Sequence, residues 1–153
     1  MKIHNHILKF TTNFFLDFID ITEKIENLIK KNQAKNGFVT IFSKHTTAAI
    51  RINEKEKGIY QDFKNLVEKL SPPKQYYHHN DLSSRTENLV CDLGASDCLN
   101  GHSHCLHLLM GATSETIPIV DGKLALGAFQ RIFLIELDCA RLRNILVQLV
   151  YET

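Results

Sequence analysis

No two of the four cysteines stand in a C-x-x-C pair, and the spacing of Cys91, Cys98, Cys105 and Cys139 matches neither a zinc finger nor a thioredoxin-like redox motif. They are expected as small buried thiols of a reducing compartment. No uninterrupted apolar run approaches the roughly 20 residues needed to span a bilayer. The opening MKIHNHILKF lacks the apolar stretch and small-residue cleavage site of a signal peptide. The expectation is a cytoplasmic protein with no membrane partner. Charge of one sign is not in excess: the net charge is +1. Lys and Arg are concentrated in the first half, on segments of helical pattern, as a solvated face would be. Neither interleaved aromatics nor a known module points to nucleic acid. Internal repeats, low-complexity tracts and linkers are also missing.

What is present is an ordinary globular composition, 44% hydrophobic and 23% charged over 153 residues. That suits a single domain over residues 1–153 with a core that needs no staples. Residues 2–10 alternate weakly, as an edge strand does. Asp20-Ile21-Thr22-Glu23 reads as a capping box, followed by Ile21, Ile25, Leu28 and Ile29 at helical spacing. This helix should end before Asn36-Gly37. Phe38–Ser43 is β-branched and apolar, and Ala48–Ile52 continues or pairs with it. Asn53 and Glu56 form a second capping box before a helix that Pro72-Pro73 stops. Residues 74–100 are polar and long for a connection, as functional or mobile loops are. A short helix from Asn100 to about Gly111 turns Leu106, Leu109 and Met110 inward. TIPIV-DG-KLAL is a hairpin around Asp121-Gly122. Strands follow at Phe129–Leu137 and Asn144–Tyr151. The predicted class is α+β: an antiparallel or mixed sheet packed against a few helices.

Eight histidines are many for this length. His4 and His6 share the solvent face of the first strand, and His107 sits among leucines. His78-His79 and His102-x-His104 match no specific zinc motif. Three stand in odd contexts. His45 ends a strand beside Thr46 and Thr47, His79 precedes Asn80-Asp81 in the long loop, and His104 lies one turn into the short helix. Three converging imidazoles would leave a fourth position open on zinc, with Asn80 and Asp81 orienting the rings. Glu54, near the start of the second helix, also suits the helix dipole there. Asp138, before Arg141 and Arg143, reads as half of an ion pair. Gln130 reads as an amide bonded inside the sheet.

The segments SKHTTAAIRINE, YYHHND, NGHSHCLHLLMG, TIPIVDGKLALGAFQRIFLIELD and ARLRNILVQL, in this order, resemble the YjbQ-type family of secondary thiamine-phosphate synthases. The resemblance runs from about residue 2 to 152. It departs at Phe129, where the family usually has Trp, at Ala128, and in the turn Asp138-Cys139-Ala140-Arg141. It implies a homotrimer and the joining of hydroxymethylpyrimidine diphosphate to thiazole phosphate, with release of pyrophosphate. The catalytic set it implies is His45, His79 and His104 with Glu54 and Asp81. Substrate contacts fall on Thr46, Thr47, Asn80, Phe129, Gln130 and Arg141, with Phe129 stacking on a ring and Arg141 reaching phosphate. A divalent metal would rest on His45, His79 and His104. Imidazoles favour zinc over magnesium, which would instead accompany a diphosphate. The alternatives are a non-catalytic trimeric protein that binds metal or phosphate, and a metal-dependent hydrolase of phosphorylated metabolites.

Overall fold

The computed structural model describes residues 1–89, 99–110 and 113–153. Cys91, Cys98 and the predicted helix end at Gly111 lie outside them. The described residues form two antiparallel sheets. One joins β1 (Lys2–Thr11), β8 (Leu142–Glu152), β3 (Asn36–Ser43), β5 (Ser114–Val120) and β6 (Lys123–Leu124) in that order. The other places β7 (Gln130–Glu136) between β2 (Phe18–Asp20) and β4 (Ala48–Glu54). Ala48–Ile52 is therefore no continuation of Phe38–Ser43. It crosses to the second sheet, where Ile50 faces Leu134.

The second sheet is the middle layer, which explains why IFLIE is apolar without alternation: both of its faces are buried. Ile132 and Leu134 look toward the large sheet, packing with Val39, Ile41, Val147 and Leu149. Phe133 and Ile135 look the other way, against Val67 of α2 (Lys57–Leu70) and Leu106 of α3 (Gly101–Met110). Each such side chain contributes about 1.5–3 kcal/mol by leaving water. α1 (Thr22–Asn32) closes the first core with Ile25 and Ile29.

Local chemistry corrects several expectations. Asp20 is not the residue that opens α1. The helix starts after Ile21, while the Asp20 carboxylate accepts from the Thr22 N–H and hydroxyl at 3.1 and 2.7 Å. Glu56, not Asn53, caps α2, accepting from the Gly58 and Ile59 N–H groups. α1 stops at Gln33 in the left-handed conformation, and Gly37 is already in β3. Asp121 and Gly122 both take positive φ, 48° and 79°, as a two-residue hairpin turn requires. Leu109 is 67% exposed rather than inward. Cys105 and Cys139 are free and exposed, so they are not core thiols.

Candidate functional site

Four connections meet at one end of the layers. The β3–β4 link carries His45, Thr46 and Thr47. The β7–β8 link carries Asp138 and Arg141, and β8 then begins with Arg143. The loop around the 3₁₀ turn His78–Asn80 supplies His79 and Arg85, and the start of α3 supplies Asn100 and His104. All of these except Asp138, together with Asn88, line a cavity of about 480 Å³. Its lining holds three arginines and three histidines and, among the described residues, no carboxylate.

Two of those arginines are pinned from behind. Arg143 and Glu136 are 3% and 0% exposed. The guanidinium binds both carboxylate oxygens, Nε to Oε2 at 2.6 Å, and also donates to Thr47 Oγ1 at 3.1 Å. Thr12 and the Asp138 N–H satisfy what remains of Glu136. Arg141 pairs with Asp138 at 2.7 Å. Arg85 differs: its donors go to the carbonyls of His79, Glu87 and Asn88, and among the described residues no carboxylate pairs with it. Among the described residues the cavity wall therefore carries net positive charge.

Two of the imidazoles, His45 and His104, are held toward the neutral form in this field. Burial and then Arg143 push the His45 pKa down, against Glu136. Burial and then His79 lower that of His104. His45 Nε2 accepts the Asn144 N–H at 2.8 Å, so the ring proton sits on Nδ1. His79 and His104 stand with ring centroids 4.5 Å apart. Neutral imidazoles such as His45 and His104 can give or take a proton near pH 7.

The three histidines picked from the sequence thus come together, with Thr46, Thr47 and Arg141. Asn80 stands behind the wall, its Oδ1 accepting the Gly101 N–H at 2.8 Å and holding the start of α3. The remaining candidates are elsewhere. Asp81 spends its carboxylate on its own loop, where the Ser83 and Ser84 hydroxyls lead in holding its pKa to about 2. Glu54 faces Gln130 across the β4–β7 ladder, both exposed, and the Gln130 amide closes a turn by accepting the Gly127 N–H. Phe129 is 73% exposed and lines none of the cavity. Glu136, Arg85 and Asn100 had drawn no role from the sequence. The one signal for Glu136 was a lone acid inside IFLIEL.

A metal on His45, His79 and His104 does not fit this arrangement. His45 Nε2 is already engaged by the backbone, arginines share the wall, and among the described residues no three His, Cys, Asp or Glu could hold one ion.

A sequence model of the family described as "UPF0047 protein YjbQ-like" matches residues 6–152. The chain belongs to the UPF0047 family. A UPF0047 protein of Methanothermobacter thermautotrophicus is 31% identical over 147 residues, 96% of this chain and 92% of that one. Another, of Archaeoglobus fulgidus, is 34% identical over 133 residues, 87% of this chain and 90% of its own. The crystal structure of a YbjQ-like protein of unknown function from Sulfolobus solfataricus superposes with a TM-score of 0.83 at 30% identity, covering 99% of both chains. These findings bear out the family and the α+β class. They overturn the thiamine-phosphate synthase: the matched family and its relatives are described as UPF0047 with no such activity given, and the solved relative is described as of unknown function. The site agrees, since among the described residues no aromatic side chain other than imidazole lines the cavity to stack on a pyrimidine or thiazole. Among the described residues no helix is long and apolar enough to cross a membrane.

Proposed function

We propose that the cavity of this UPF0047 protein binds the phosphate group of a small phosphorylated metabolite. The observation that carries this is a wall that, among the described residues, presents arginine and imidazole with no carboxylate of its own and includes one arginine, Arg85, without a carboxylate partner. Such a wall attracts anions and forms charge-assisted hydrogen bonds with them. His45 and His104, kept neutral, would exchange a proton with the bound ligand, which places the protein among enzymes acting on phosphorylated metabolites. That ligand class belongs to the cytoplasm, and so, in this reading, does the protein.

Self-association, as a homotrimer, belongs to the same proposal. The outer face of the five-stranded sheet carries two apolar rows. Ile7, Leu146 and Phe42 form one, and Ile3, Val150 and Phe38 the other. Ile3 and Ile7 are 63% and 50% exposed. A face of this kind is a natural surface for a second copy. Sedimentation of the wild type against Phe42→Lys tests it: a trimer that the substitution dissociates supports the proposal, and a wild-type monomer refutes it.

The functional reading is tested by screening phosphorylated sugars and cofactors for thermal stabilisation, then incubating each hit with the protein and following its mass. Stabilisation by phosphate esters, with conversion abolished in His104→Ala, supports the reading. No stabilisation by any phosphorylated compound overturns it.

A further inference from the structure

Asn100 breaks a local rule. It stands where a helix-capping side chain is expected, and its carbonyl accepts the Ser103 and His104 N–H groups at 2.9 and 3.3 Å. Yet its side chain caps nothing. Asn80 serves the first helical N–H instead. The Asn100 amide, buried to 7% exposure, bridges two other groups: Nδ2 donates to Asp138 Oδ2 at 2.8 Å, and Oδ1 lies 3.2 Å from His79 Nε2.

The orientation of that amide is fixed by charge. An oxygen turned toward the Asp138 carboxylate would meet only lone pairs, so Nδ2 must face it and Oδ1 must face His79. Oδ1 can only accept, so Nε2 must carry the ring proton. Arg85 Nη1 also lies 3.2 Å from Nε2. It cannot donate to a protonated nitrogen, and it is satisfied by the His79 carbonyl at 3.1 Å. The Arg85 approach to Nε2 is therefore a contact, not a bond.

We propose that Asn100 is a positioning residue that locks His79 in its Nε2–H tautomer, so that the cavity pairs an acceptor imidazole, His79 Nδ1, with a donor imidazole, His45 Nδ1–H. Among the described residues nothing else hydrogen-bonds either Nδ1. A ligand that uses both nitrogens needs an anionic oxygen for His45 and a hydroxyl for His79. The class selected is a phosphate monoester with a hydroxyl near the phosphate, in preference to a plain alkyl phosphate. The ligand class rests on the phosphate reading above; the tautomer does not.

Long-range ¹H–¹⁵N correlation spectra of the imidazoles near pH 8 decide the tautomer. The wild type should show His79 protonated at Nε2. Asn100→Ala, and also Asp138→Ala, which frees the amide to turn, should give a mixture of tautomers. A wild-type His79 protonated at Nδ1 overturns the proposal even if neither variant folds, and so does a tautomer unchanged in both folded variants. The ligand class is read by titrating glycerol 3-phosphate against propyl phosphate. Glycerol 3-phosphate should bind at least about fivefold more tightly to the wild type, the order of one hydrogen bond, and the preference should vanish in Asn100→Ala. Equal affinities overturn the ligand class. Binding of neither overturns the phosphate reading and leaves the tautomer to the spectra.

Discussion

Glu136→Gln keeps the shape of the side chain behind the cavity and removes its charge. The structure indicates how much that costs. Glu136 is fully buried, and so, nearly, is Arg143. The guanidinium meets water only at its narrow edge on the cavity, so the substitution leaves a largely buried cation whose remaining protein acceptors are the Thr47 hydroxyl and carbonyl and one amide oxygen. Losing a hydrogen bond between two neutral groups would cost only about 1 kcal/mol. Stranding a buried charge costs about 3–5 kcal/mol, and the amide that remains sets the lower end. At roughly 2–4 °C per kcal/mol for a chain of this size, the midpoint of thermal unfolding should fall by about 6–12 °C. Arg143→Met alone should be costly for the mirror-image reason. The double variant Glu136→Gln/Arg143→Met, with no charge left to strand, should recover part of the loss. Thermal and urea unfolding of the four proteins form a double-mutant cycle. A single variant that shifts the midpoint by less than about 2 °C, or a double variant that is merely additive, would refute the reasoning.

Three further predictions follow from other parts of the molecule. Gly37→Ala should abolish or cripple folding, because a Cβ there would lie 2.1 Å from the Val150 carbonyl oxygen with φ at +150°; soluble yield and circular dichroism check it. Burial pushes the Asp20 carboxyl up, but bonds from Thr22, Arg131 and Lys55 outweigh it and hold its pKa to about 2. The stability it contributes is complete above the ordinary carboxylate range and disappears as pH falls through that value, so Asp20→Asn should flatten the loss between pH 4 and 2 in urea titrations. His102, with Nδ1 unbonded against Phe15 and Tyr77, has its pKa lowered chiefly by burial. The unfolded chain then binds more protons, and stability should decline as pH drops below about 6.5. His102→Gln should weaken that decline, and an unchanged profile would contradict it.

Much of the fold was legible because its signals are local. The period of Ile25 and Ile29, the Asp121-Gly122 turn and the apolar run at residues 132–135 each carry their own structure. The partition into two sheets was not. Phe38–Ser43 and Ala48–Ile52 read alike, and only their distant partners, β8 and β7, send them to different layers. Both cap assignments slipped for a related reason, because Asp20 and Asn53 had competing uses for their side chains. At the site, histidine is rare enough to notice, and His45, His79 and His104 stood out by context. Glu136 and Asn100 work from behind the wall, through Arg143 and His79. A sequence shows which side chains could face a ligand far better than it shows which ones hold them. Glu54 and Gln130 were drawn in by chemical type, yet the β4–β7 register sets them opposite each other and outside the cavity.

The central claim is that the cavity is an anion site built on arginine. Calorimetric titration of inorganic phosphate into metal-free protein, wild type and Arg85→Met, tests it most directly. The account predicts about one phosphate per chain, affinity that weakens as salt rises, and a loss of about tenfold or more in Arg85→Met, the worth of one charge-assisted bond. Phosphate that fails to bind, or binds equally well to Arg85→Met, would contradict it, and tight stoichiometric zinc in a parallel titration would return the three histidines to a metal.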